Sequence, residues 1–87
     1  MDEDPELISR KAIRAVAVEV TINHYQIANT VEDMAEILME RCDPSDPCYQ
    51  RAAECLVAFQ EGKAEGEEAR DAFTTALESA GIFFKDG

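Results

Sequence analysis

The feature that most constrains this fold is a change in hydrophobic spacing along the chain, from alternation to helical repeats. Valine or isoleucine occupies every second position from 16 to 22, which is typical of a β-strand. A second alternating run covers residues 25–29, so a β-hairpin that turns near Asn23 accounts for both runs. The alternative is one helix over residues 7–20, but successive valines lose rotamer freedom in a helix, which favours the hairpin.

The first helix after the hairpin is predicted to begin at Thr30. A threonine followed by Asp33 three residues later resembles a capping box, and Asp43-Pro44 is a stop signal. Between these limits, apolar residues recur at the spacing of one helical face. The expected buried stripe consists of Val31, Met34, Ala35, Leu38, Met39 and Cys42.

Two more helices are predicted in the second half of the chain. Asp46 is placed to cap one of them, with Pro47 in its first turn and Gly62 at its C-terminal end. The last helix covers about residues 65–80 and ends at Gly81. The expected buried stripes are Cys48, Ala52, Cys55, Leu56 and Phe59, and then Ala69, Ala72, Phe73, Ala76, Leu77 and Ala80.

The apolar tail at residues 82–84 is predicted to fold back, either as a short strand beside the hairpin or as a plug over the helix ends. The fold class is therefore α+β, with an N-terminal hairpin, three helices and a short C-terminal strand. Residues 13–87 are expected to form one domain. Residues 1–12, which are dense in acidic side chains, are expected to be a flexible acidic arm.

The charge of the chain restricts its partners. The 87 residues include 19 acidic and 8 basic side chains, for a net charge of −11. Such a surface repels nucleic acid and anionic membranes, so neither is an expected partner. The chain has no apolar run of about 18–20 residues and no signal-peptide layout, which indicates a cytoplasmic protein.

No catalytic motif, glycine-rich phosphate loop or cofactor motif is present. Four side chains could in principle ligate a metal, namely His24, Cys42, Cys48 and Cys55. Their spacing disfavours zinc, because structural sites usually use cysteine pairs with two to four intervening residues, whereas here five and six residues intervene. The cysteines are better interpreted as packing thiols, and His24 as an exposed residue of the hairpin turn.

One charged feature suggests a binding surface. Glu32, Glu36 and Glu40 repeat every four residues on the first helix, and we call them the acidic ridge. Like charges at this spacing cost a few tenths of a kcal/mol per pair. They indicate either a solvated surface or a docking site for a basic protein, so the leading hypothesis is a non-enzymatic interaction or regulatory module. The alternative is a small-ligand or metal-binding domain that uses the cysteines and His24, and a homodimer is compatible with either hypothesis.

Three segments resemble a known family. They are residues 27–33 (Ile-Ala-Asn-Thr-Val-Glu-Asp), residues 53–56 (Ala-Glu-Cys-Leu) with Gly62, and residues 68–73 (Glu-Ala-Arg-Asp-Ala-Phe) with Ala76 and Ala80. Together they resemble the domain-of-unknown-function 982 family of small alphaproteobacterial proteins. The resemblance implies a compact fold of a hairpin and helices, and it assigns no catalytic residue.

Overall fold

The computed structural model describes residues 13–86, which form an α+β fold of three strands and three helices. In chain order the elements are β1 (Val16–Thr21), β2 (His24–Ala28), α1 (Val31–Arg41), α2 (Pro47–Gln60), α3 (Gly66–Ala80) and β3 (Phe84–Asp86). The predicted hairpin, three helices and C-terminal strand are all confirmed. The predicted acidic arm, residues 1–12, lies outside the described residues.

The strands form one antiparallel sheet in the order β2-β1-β3. A two-residue turn joins β1 to β2, and Asn23 adopts a left-handed backbone conformation (φ 64°), which asparagine tolerates better than most residues. The apolar tail pairs with the other side of β1, where Val18 lies opposite Phe84. Strand β1 is therefore the central strand, and the alternative helix over residues 7–20 is wrong for the residues of β1.

The alternation of β1 does not continue to its end. The pairing passes from Glu19 opposite Tyr25 directly to Thr21 opposite His24, so Val20 is the extra residue of a β-bulge. Val16 and Val18 are fully buried, whereas Val20 is exposed and Ile22 is 83% exposed. The alternation of residues 16–22 predicts one shared strand face, but the bulge and the turn direct the last two side chains into solvent.

The helix ends follow the predicted local chemistry. The Thr30 hydroxyl accepts a hydrogen bond from the backbone N–H of Asp33 (3.1 Å). The Asp46 carboxylate caps α2 by accepting from the Cys48 N–H (2.8 Å), and Gly81 ends α3 in the left-handed conformation. These contacts satisfy backbone groups that helix ends leave without partners.

The core lies between the helices and one face of the sheet. Its largest fully buried side chains are Phe73, Met34, Ile37, Leu38, Leu77, Val16 and Val18. On α1 the predicted stripe needs correction, because Ile37 is buried and Met39 is 67% exposed. Val31 and Ala35 are half-buried. Cys48 and Cys55 are half-buried rather than buried, and Ala80 is exposed. The buried face of α1 is therefore rotated slightly from the face that its apolar spacing predicts.

Among the residues that the structure describes, one charged side chain is buried, that of Arg70 on α3, which the sequence pattern did not identify. Its Nε donates to the carbonyl of Arg14 (3.1 Å) and its Nη2 donates to the carbonyl of Ala15 (3.2 Å). Nη2 also forms an ion pair with the carboxylate of Asp86. Arg70 therefore connects α3 to the start of β1 and to the end of β3, and its guanidinium is buried only because these acceptors surround it.

Candidate interaction site

An apolar groove runs between α1 and α2 and has a volume of about 240 Å³. We call it the α1–α2 groove. Its lining residues are Val31, Ala35, Leu38 and Met39 on α1, and Tyr49, Ala53, Leu56, Val57 and Gln60 on α2.

The groove exists because small side chains alternate with large ones along its walls. Leu38 and Leu56 are buried and form part of the core. Ala35 and Ala53 lie on the same helix faces, but their side chains are too short to fill the space above the two leucines. The large exposed apolar side chains at the groove are Met39, 67% exposed, and Val57, 52% exposed. Two large apolar side chains thus remain in contact with water beside an open apolar depression, a pattern that marks interaction surfaces.

Acidic side chains flank this groove on both helices. On α1, Glu32 is three residues before Ala35 and Glu36 is three residues before Met39, so both neighbour lining residues on the helix surface. On α2, Glu54 and Glu61 neighbour Val57 in the same way. These four glutamates form the groove rim, and together with Val57 the α2 pair also lines a second, more open depression of about 340 Å³.

The acidic ridge overlaps this rim. Glu32, Glu36 and Glu40 are all exposed, and Glu40 lies about one helical turn beyond Glu36 along α1. Within residues 13–86, no member of the ridge forms an ion pair, and the same holds for Glu54. Glu61 alone has a partner among the described residues, Lys63 at 3.5 Å. The negative charge at the rim is therefore largely uncompensated by the described part of the chain.

The structure separates the residues that were considered as metal ligands. His24 is exposed in the hairpin, where its Nδ1 lies 2.9 Å from the Thr21 hydroxyl. The three cysteines are free thiols, and burial raises the pKa of the Cys42 thiol, which disfavours the reactive thiolate. In the part of the chain that the structure describes, no three His, Cys, Asp or Glu side chains are placed to hold a metal ion.

A second exposed apolar surface lies on the side of the sheet that faces away from the helices. Ala17 pairs with Ile27 and with Lys85, so these side chains share one face, which we call the outer sheet face. Tyr25 and Phe83 meet there edge to face, with ring centroids 6.5 Å apart, and the Lys85 ammonium lies 4.5 Å from the centre of the Tyr25 ring. Unlike the lining of the α1–α2 groove, this face carries a basic residue.

Sequence reasoning located the acidic ridge but not the groove beside it. The ridge repeats every four residues and is visible in the α1 sequence alone. The groove depends on the separation of α1 and α2 beside Ala35 and Ala53, and the sequence pattern of a single helix gives no information on that distance. The exposure of Met39 could not be predicted, because its spacing matches the buried stripe.

Three further findings bear on the class of protein. No helix within residues 13–86 is long and apolar enough to cross a membrane. No curated protein and no solved structure matches the sequence. The model of the family described as Protein of unknown function (DUF982) matches residues 14–84, which include the hairpin, all three helices and the first residue of β3. This match covers most of the chain and includes the three segments that resembled the family, so the chain belongs to the domain-of-unknown-function 982 family.

Proposed function

We propose that this chain is a cytoplasmic, non-enzymatic interaction or regulatory module that docks a protein with a basic surface on the acidic ridge of α1. One observation carries the proposal: exposed glutamates without ion-pair partners among residues 13–86 lie beside an exposed apolar groove. Charge complementarity accelerates encounter and selects partners, while apolar contact supplies affinity. The site combines both kinds of surface.

The alternative, a small-ligand or metal-binding domain, has less support. At about 240 Å³, the groove is smaller than the roughly 300–1,000 Å³ of typical small-molecule sites. Its polar groups are few, with Tyr49 and Gln60 as the only lining side chains that carry a hydrogen-bonding group. A polar ligand would find little to orient it, and the cysteines and His24 are not gathered around the groove.

A pull-down from native cytosol with matched baits tests the proposal. One bait replaces all three glutamates of the acidic ridge with Gln. The control bait removes the same number of negative charges from exposed or half-buried positions elsewhere, through Glu19→Gln, Asp71→Asn and Glu78→Gln. We expect the ridge variant to lose a partner that the wild type and the control bait both retain, and we expect salt well above 0.15 M to weaken its recovery.

Two results would contradict the proposal. Equal losses with both baits would show that net charge, rather than the ridge, drives recovery. Recovery that neither the ridge variant nor added salt changes would eliminate electrostatic docking altogether.

A further inference from the structure

We propose that the α1–α2 groove receives an amphipathic α-helix of a partner protein, with an apolar stripe that enters the groove and Lys or Arg residues on both flanks. The inference rests on the proposed function, because both place the partner beside the acidic ridge. It adds the secondary structure of the docked segment, its anchor spacing and the location of its charges.

The walls of the groove determine the conformation of the occupant. Both walls are helices, whose backbone N–H and C=O groups are bonded within each helix along most of their length. An extended segment in this groove would bury its own backbone polar groups without partners, and each such group costs free energy. A helix satisfies its own backbone groups and presents only side chains, so it is the conformation that fits two helical walls.

The dimensions of the groove determine how the helix is anchored. The lining residues of α1 run from Val31 to Met39, which at about 1.5 Å per residue is a wall of roughly 12 Å, or slightly more than two turns. A docked helix presents apolar residues i, i+4 and i+7 over that length. An engineered cavity of roughly 150 Å³ accommodates benzene, so about 240 Å³ has room for one or two large apolar side chains at the deepest point.

The charges at the groove rim determine the sign of the partner. Glu32 and Glu36 lie on one side of the groove, and Glu54 and Glu61 lie on the other. A second copy docked groove to groove would bring both sets of glutamates together within a protein of net charge −11, which like-charge repulsion disfavours. A helix with Lys or Arg on both sides of its apolar stripe neutralises the two sides at once.

Fluorescence anisotropy with synthetic peptides tests this inference. The probe is a labelled peptide of about 16 residues, with Leu at helical spacing, Lys on both flanks and Ala elsewhere. The control peptide has the same composition but alternates Leu and Lys, so it has the same charge and no helical stripe. We expect the helical peptide to bind in the micromolar range and the control peptide at least about tenfold more weakly.

Matched protein variants locate the binding. The groove variant combines Met39→Gln and Val57→Gln, and its control removes exposed apolar side chains elsewhere through Ile22→Gln and Phe83→Gln. We expect the groove variant to weaken the helical peptide at least about tenfold and the control to leave it unchanged. Backbone amide NMR shifts induced by the peptide should concentrate on α1 and α2.

The outcomes separate this inference from the proposed function. Equal binding of both peptides, or no effect of the groove variant, overturns the helical groove partner, and a ridge-dependent pull-down still supports the proposed function. Absence of binding by the helical peptide at low salt also overturns it. A dimer that the groove variant dissociates in sedimentation velocity would identify a second copy as the occupant and overturn it as well. Groove-dependent peptide binding alongside a pull-down that ignores the ridge would uphold the inference and contradict the electrostatic docking.

Discussion

Replacing Arg70 with Met tests whether the buried guanidinium holds the sheet to α3. The side chain of Arg70 is 9% exposed, whereas that of its ion-pair partner Asp86 is 78% exposed. The two carbonyls that it reaches, those of Arg14 and Ala15, belong to the segment that leads into β1. Met has a similar unbranched length, so Arg70→Met removes the donors and retains most of the packing.

The expected loss is about 2 kcal/mol of unfolding free energy. Each hydrogen bond from a charged donor contributes about 1.5–3 kcal/mol, and Arg70→Met removes two such bonds to backbone carbonyls. Two effects reduce this sum. The variant no longer buries a guanidinium, and Asp86 returns to water rather than becoming a buried unpaired charge. For a domain of this size, about 2 kcal/mol corresponds to a melting temperature lower by roughly 8–16 °C.

Urea denaturation followed by far-UV circular dichroism measures this loss, and an unchanged m-value shows that the shift in midpoint reports a change in stability. Asp86→Asn serves as the first control, because it removes only the exposed partner. Glu67→Gln serves as the second, because it removes the exposed ion pair in which the Arg14 guanidinium holds the pKa of Glu67 below its usual value. Both controls should shift the urea midpoint far less than Arg70→Met. If Asp86→Asn destabilises as much as Arg70→Met, the ion pair anchors Arg70 and our account of the carbonyls is wrong.

Three further predictions follow from contacts elsewhere in the chain. Combining Glu36→Gln with Glu40→Gln removes the like-charge pairs of the acidic ridge. Thermal denaturation should therefore show that the unfolding free energy rises by about 0.2–0.5 kcal/mol per pair, and a loss of stability would contradict this. Asp46→Ala should lower the urea midpoint at pH 7, because the Ser79 hydroxyl and the Cys48 amide both donate to this carboxylate and hold its pKa below the usual value. A lowered carboxyl pKa stabilises the fold above about pH 4, the unfolded-state value, and this contribution is lost as the pH falls through the folded-state pKa. The difference from wild type should therefore shrink as the pH falls below about 4 and should not grow. Ala53→Leu should fill the α1–α2 groove, and the unfolding free energy should stay unchanged or rise by up to about 1 kcal/mol. The same variant should abolish binding of the helical peptide in the anisotropy assay. Retained binding would place the peptide elsewhere.

The helix ends were predictable because their chemistry is local. A cap depends on one side chain and an amide two or three residues away, as at Thr30 and Asp46, so the sequence contains every atom involved. The positive backbone angle at Gly81 is local in the same sense. The acidic ridge belongs to this class too, since its members are neighbours on a single helix.

The errors arose where the answer depends on what lies opposite. Met39 and Leu38 both fit the helical stripe of α1, and only the position of α2 decides that one is buried while the other is exposed. Ile22 continues the alternation of β1, but the bulge at Val20 is a property of the strand pair. Arg70 looks like an ordinary surface residue until Arg14 and Ala15 bring their carbonyls to it from the far end of the sequence.

Because β1 is the central strand, it pairs with β2 on one edge and with β3 on the other, and the two pairings form on different timescales. Val16 lies opposite Ala28, twelve positions away, on one side and opposite Asp86, seventy positions away, on the other. The near edge can zip within microseconds, as isolated hairpins do, whereas the far edge closes a loop that contains all three helices. Until it closes, one row of β1 amides and carbonyls stays open to pairing with other chains. Cleavage after Gly81 would leave this edge of β1 permanently unpaired. The three residues of β3 therefore cover a strand edge that could otherwise pair with other chains and lead to aggregation.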